Sequence, residues 1–205
     1  MRRVVITGMG MVAATGHNVN DCWNAAVEAK SGIDKITLFD ASGLPVQIAG
    51  EVKNLQTDHA LDPKEARRST RFVALAAVAA KEAIDGSGLN LTGNTDRYGC
   101  AIGVGIGALN DIEQNTLILK EKGPKRVSPF FIPYTIANMA AGIVSIMAMS
   151  AYRTVTQRPV SRAIIRAALR AAPSFASSST MMLLPILWNE AGLETHTRIG
   201  GRCGP

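Results

Sequence analysis

Residues 4–7, Val4-Val5-Ile6-Thr7, are β-branched throughout and predict a buried strand that stops at Gly8. Asn20 or Asp21 can cap a helix running to about Lys30, with Trp23, Ala26 and Val27 on one face and Gly32 as its stop. Residues 33–60 read as irregular, with turn chemistry at Ser42-Gly43-Leu44-Pro45. The next start is sharper. Asp62 suits an N-cap, Pro63 the first helical position, and Glu65 the place where a capping box sets its carboxylate. Phe72, Leu75, Ala76, Ala79 and Ala83 recur at three and four, which predicts one apolar stripe as far as Gly86.

Tyr98 to Val104 predicts a second strand, running directly into Gly103-Val104-Gly105-Ile106-Gly107. A helix from about Asn110 to Lys122 should end at Gly123-Pro124. Ser128-Pro129-Phe130-Phe131-Ile132-Pro133 predicts a stiff loop, because each proline fixes φ. From Thr135, the residues Ile136, Met139, Ala140, Ile143, Val144 and Met147 predict a helix apolar almost all round, hence buried. Strand, helix, helix, strand, helix is the order of an α/β domain with a largely parallel sheet. Beyond residue 150 no clear element emerges, although 160–172 has the spacing of an uncapped basic helix.

Composition sharpens the break at 150. The 205 residues are 47% hydrophobic, enough for a core, so disorder is not expected for most of the chain. Residues 1–150 hold 15 Lys and Arg against 14 Asp and Glu, whereas 151–205 hold 7 against 2. The net charge of +6 is therefore largely a property of the last quarter, where every basic residue is arginine. Arg153, Arg158, Arg162, Arg166 and Arg170 lie four or five apart rather than clustered with lysine, so nucleic-acid binding is not expected. No targeting segment is expected either: Thr7, Gly8 and Gly10 break the apolar run behind Arg2-Arg3. The run Ile136 to Ala151 is too short to span a bilayer. Cys22, Cys100 and Cys203 form no close pair and no metal-ligand spacing, which suits a reducing, cytoplasmic compartment.

Candidate chemistry is sparse. Gly8-Met9-Gly10-Met11-Val12-Ala13 fits a relaxed dinucleotide fingerprint, the basis of an NAD-binding alternative. The helix that should follow at once is delayed, and no acidic residue closes a second strand, so a tight turn is the preferred reading. The Gly103–Gly107 loop lacks the Lys-Ser/Thr pair of a P-loop; glycines there suit close passage of another chain or an acyl chain. His17, His59, His196 and Cys22 suggest no nucleophile-base pair, and no metal site is nominated. Lys64, Arg67, Arg68 and Arg71 lie along one helical stretch, either a solvated face or a site for an anionic partner.

Taken in order, these segments resemble the start of the condensing enzymes of fatty-acid synthesis. The similarity is to the β-ketoacyl-acyl-carrier-protein synthase II family, within the thiolase-like superfamily. It is carried by Arg3 to Val12, Trp23, Ser31-Gly32-Ile33, Phe39-Asp40, Ala101 to Gly107, Ser128 to Pro133, Asn138 to Gly142 and Ser145-Ile146-Met147. The resemblance implies the N-terminal part of an αβαβα layered α/β fold with a mixed, largely parallel sheet, incomplete here. It divides the chain into a truncated synthase region, 1–150, and an atypical Arg/Ser-rich tail, 151–205, of the kind an out-of-frame reading of a GC-rich gene produces. The reaction it implies is a decarboxylative Claisen condensation of an acyl thioester with malonyl-carrier protein. That chemistry uses a cysteine at a helix N-terminus and two histidines, and no cofactor. No cysteine lies between Cys100 and Cys203, so no catalytic residue is assigned and the chain alone is expected to be inactive.

By the same resemblance, Ile106 matches the isoleucine that gates the acyl pocket, and Phe131 a pocket phenylalanine near the dimer interface. Lys64, Arg67, Arg68, Lys125 and Arg126 match basic positions that dock the acidic acyl carrier protein. A homodimer is the implied assembly. The alternative is a non-catalytic fragment that binds the carrier or interferes with dimers.

Overall fold

The computed structural model describes residues 4–89 and 98–149. Helix α1 spans Val19–Val27 and begins two or three residues earlier than predicted, because Asn18 is the cap: its side chain accepts from the Asp21 amide at 2.8 Å. It also ends early, where Ala29 turns left-handed at φ 52° and the Lys30 amide reaches back to the Ala25 carbonyl. The buried face differs from the expected one as well. Cys22 and Ala25 are inside while Trp23 and Val27 stand 68% exposed, since only the small side chains fit against the loop before the helix.

Within the stretch expected to be irregular, β1 (Ile33–Lys35) pairs antiparallel with β2 (Ile48–Gly50), Ile33 opposite Gly50 and Lys35 opposite Ile48. Strands of three residues, β1 exposed throughout and β2 without a buried position, leave no alternation to detect. The Glu51 carboxylate accepts from the Thr37 hydroxyl at 2.6 Å, and Lys53 reaches Asp34 at 2.7 Å, tying the hairpin's ends together.

The helix predicted from Asp62 to Gly86 is two helices. Helix α2 (Pro63–Arg68) is capped by Asp62, whose carboxylate accepts from the Lys64 and Glu65 amides. Extended backbone at Ser69 and Thr70 breaks it before α3 (Arg71–Ser87). Thr70 is held there because its hydroxyl donates to the Tyr134 carbonyl at 2.9 Å, a long-range bond that local periodicity does not reveal.

Helix α3 supplies most of the buried core among the described residues. The predicted stripe is inside, with Phe72, Ala76, Ala79 and Ala83 buried and Leu75 packed on the core. Val73, Ala77, Val78 and Ala80 are buried too, because α3 is covered on two sides. One cover is α6 (Met139–Met149), through Ala140, Ile143 and Val144. The other is the chain at Gly8–Val12, lying so close that a Cβ on Gly10 would sit 1.8 Å from the Ala79 carbonyl oxygen. Among the described residues, Ala140, Ile143 and Val144 of α6 are buried while Ile146 is 63% exposed, which departs from the all-round burial that its apolar sequence predicts.

Helix α4 (Leu109–Lys122) matches its prediction within one residue and stops at Gly123, φ 79°. A 3₁₀ turn, Pro124–Arg126, follows. The expected stiff loop is partly helical: α5 (Phe131–Thr135) takes Pro133 in its first turn, where a missing N–H costs nothing.

The two predicted strands differ most from the reading. Val4, Val5 and Ile6 are 70–76% exposed and join no ladder among the described residues, and neither does Tyr98–Val104. Among the described residues the sheet is the β1–β2 hairpin, and it is antiparallel. Parallel strands gain stability only from neighbours reached through long crossovers and from cover on both faces. With no such neighbour among the described residues, the β-branched run at 4–7 is unpaired. The predicted tail, 151–205, lies outside the described residues.

Candidate functional site

The charged candidates gather around α2. Lys64 and Arg67 are exposed on it, Arg68 is half-buried, and with Asp62 and Pro63 they line a shallow depression of about 440 Å³. The Glu65 and Lys64 amides hold the Asp62 carboxyl below the usual carboxylate range, so the cap keeps its negative charge beside these cations. Arg68 lies over the Phe130 ring, 4.3 Å from its centroid. Phe130 meets Tyr134 edge to face at 6.3 Å. The Tyr134 hydroxyl donates to Glu65 at 2.6 Å, and burial together with that carboxylate pushes the phenol up to about 12. Glu65 thus serves the segment 128–135, and its carboxylate is engaged across the structure at the position from which a capping box would turn it back.

Lys125 and Arg126 are exposed in the 3₁₀ turn, five and four residues before the ring that Arg68 covers. The Arg68–Phe130 contact therefore links the segments carrying the two basic groups. Sequence reasoning passed over Lys120 and Lys122, in the last turn of α4, although cations at a helix C-terminus are a recognisable signal. Arg71 separates from the others. It opens α3, and its guanidinium donates to the Val52 carbonyl.

The acyl-pocket candidates lie on adjoining segments, the glycine loop before α4 and the start of α5. Ile106 is 76% exposed at the tip of the glycine loop. Phe131 is half-buried at the start of α5. The loop and α5 abut at Gly107, where φ is 84° and a Cβ would stand 3.4 Å from the Thr135 carbonyl oxygen.

Neither described cysteine is an activated nucleophile. Cys22 donates to the Gly16 carbonyl at 3.3 Å, and burial raises its pKa; burial raises Cys100 likewise, beside Ser145. His17 is half-buried in a second depression with Asp21, Asp34 and Lys53, His59 is exposed in a turn, and Cys203 and His196 fall outside the described residues. Gly8 and Gly10 face the α3 carbonyls of Ala83 and Ala79, and α1 starts only at Val19, so no helix N-terminus follows that turn directly. Their glycine requirement comes from helix packing, which removes the main support for the NAD-binding alternative. Among the described residues, no helix is long and apolar enough to cross a membrane.

Comparison with known folds defines the class. A ketosynthase/chain length factor pair (the ishigamide one) superposes with a TM-score of 0.61 at 24% identity, over 72% of this chain and 37% of that one. A β-ketoacyl synthase from Burkholderia phymatum gives 0.61 at 21%, over 73% and 37%. A type II polyketide ketosynthase, solved in complex with its acyl-carrier protein, gives 0.60 at 18%, over 76% and 41%. The fold is thus an incomplete part of the thiolase-like α/β class.

Sequence comparison narrows this further. The family model for the β-ketoacyl synthase N-terminal domain matches residues 1–151. Over 146 residues the chain is 48% identical to 3-oxoacyl-[acyl-carrier-protein] synthase 2 of Coxiella burnetii and 47% identical to that of Staphylococcus aureus, 71% of this chain in each case. The same enzyme of Vibrio harveyi is 46% identical over 147 residues. The chain belongs to the β-ketoacyl synthase family. It spans 35% of the length of these relatives.

Proposed function

We propose that this chain carries the carrier-docking part of a 3-oxoacyl-acyl-carrier-protein synthase of cytoplasmic fatty-acid biosynthesis, without the condensing chemistry. The whole enzyme would join an acyl thioester to malonyl-carrier protein by decarboxylative Claisen condensation. That reaction needs a thiolate at a helix start, and Cys22 and Cys100 are held as thiols by burial. The observation that carries the docking reading is the exposed basic surface on α2, with Lys125 and Arg126 joined to it through the Arg68–Phe130 contact. Cations on a surface turn steer an acidic partner and raise its encounter rate. Ile106 and Phe131 would contribute to the acyl pocket once further structure closes over them.

Association of the 205-residue chain with acyl carrier protein, followed by stopped flow, tests this. Charge reversal at Lys64 and Arg67 should slow association at low salt, and added salt should weaken binding as it screens the pairs. Equal binding at high and low salt would defeat the docking reading. Homodimer formation is a second reading, favoured by α4: no residue of it is buried, and Leu109, Ile112, Leu117 and Leu119 are 40–60% exposed. A monomeric mass in solution at all concentrations would count against it. We also propose the boundary near residue 150 as the end of the family region. Resequencing the gene across codons 145–190 tests whether a frame change produced the tail.

A further inference from the structure

The basic residues of α2 do not share one environment. Glu65 and Arg68 are three apart and occupy one strip of the helix; Lys64 and Arg67, also three apart, occupy the next. The first strip is engaged across the structure. Arg68 lies over the Phe130 ring, Phe130 abuts Tyr134, and the Tyr134 hydroxyl donates to Glu65. Thr70 completes the circuit by donating to the Tyr134 carbonyl. The second strip, Lys64 and Arg67, is exposed along the depression, which half-buried Arg68 also lines.

We infer that α2 divides the work of recognition: Lys64 and Arg67 present charge to an acidic partner, whereas Glu65 and Arg68 are positioning residues that strut α2 against segment 128–135. This rests on the docking reading above and refines it. A guanidinium stacked on a ring is held in place, so its removal acts through the segment it holds as well as through charge. The strut also reaches Phe131, which follows Phe130 directly, so loosening it would disturb the acyl-pocket candidate and the docking turn together. Tyr134 is the diagnostic residue. It is neutral and buried, and has no reason to affect carrier binding unless the strut matters.

Carrier binding measured over a range of ionic strength separates the roles. Arg67→Gln should lower the association rate several-fold and flatten its salt dependence. Arg68→Lys keeps the charge and Tyr134→Phe removes none; each should weaken binding at least threefold with the salt slope unchanged. If Arg68→Lys binds like the wild type while Arg68→Gln behaves as Arg67→Gln, Arg68 is an ordinary docking cation and the inference is overturned. A second measurement needs no carrier. In a double-mutant cycle on thermal unfolding, Arg68→Gln and Phe130→Leu should shift the midpoint non-additively, and additive shifts would sink the strut. A wild-type chain that binds no carrier would defeat the docking reading alone, and this cycle would still decide the strut.

Discussion

Replacing Gly10 by alanine would place a methyl carbon 1.8 Å from the Ala79 carbonyl oxygen and 2.9 Å from the Ala83 nitrogen. Those two atoms belong to consecutive turns of α3, so the helix cannot yield without breaking its own ladder. The chain at 8–12 must lift instead, by roughly 1.5 Å to restore ordinary contact. Lifting strains one further bond, because the Glu82 carboxylate, which also accepts from the Val19 amide at 2.9 Å, accepts from the Met11 amide at 3.0 Å. Overpacking of this kind costs about 1–3 kcal/mol, and weakening one charged hydrogen bond adds about 1.5 kcal/mol. A total near 3 kcal/mol corresponds to a midpoint lower by roughly 6–12 °C for a domain of this size. Gly86 is the control: it lies in α3 with open space around its Cβ position, so Gly86→Ala should stabilise by about 0.5–1 kcal/mol. Thermal unfolding followed by circular dichroism at 222 nm reads both. Should Gly10→Ala melt within about 1 °C of the wild type, the close approach of this segment to α3 is not part of the folded state. If the alanine variant proves insoluble, Glu82→Gln probes the same junction more gently and should still lower the midpoint.

Three other outcomes are expected. Tyr134 has a folded pKa raised to about 12, so its contribution to stability is present below the unfolded value near pH 10 and is lost as pH rises from there towards 12, with an upper bound of about 2.7 kcal/mol. Tyr134→Phe should therefore show a shallower loss of stability over that window, and parallel curves for the two proteins would contradict the assignment. Burial raises both described thiols, so iodoacetamide at pH 8 should alkylate Cys22 and Cys100 at least tenfold more slowly in the folded chain than in denaturant, with peptide mapping to separate the sites. Equal rates would mean the thiols are not held by the fold. Incubated with acyl- and malonyl-carrier thioesters, the 205-residue chain should yield no β-ketoacyl product above background; turnover would reveal a nucleophile that Cys22 and Cys100 do not supply.

Local chemistry was legible in the sequence wherever a few neighbouring residues suffice to decide it. The Asp62 cap, Pro63 in the first helical position, the apolar stripe of α3 and the Gly123 stop after α4 each depend on the backbone within one or two turns. The family was legible for a related reason, since several motifs recur in order over the first 147 residues. The break at Ser69–Thr70 was not, because it is stabilised by a bond from Thr70 to Tyr134, 64 residues away. Nor did spacing show that Glu65 and Arg68 differ from Lys64 and Arg67; that depends on which strip of a short helix meets Phe130 and Tyr134. The glycines of the first turn carried one signal with two meanings, a cradle for pyrophosphate or room for a helix, and only the position of α3 chose between them. The β-branched run at 4–7 shows the converse. Its residues favour an extended backbone on their own, but a ladder needs a second strand, and none lies beside it among the described residues. Conformation can be encoded locally; pairing and burial belong to whatever the rest of the chain brings alongside.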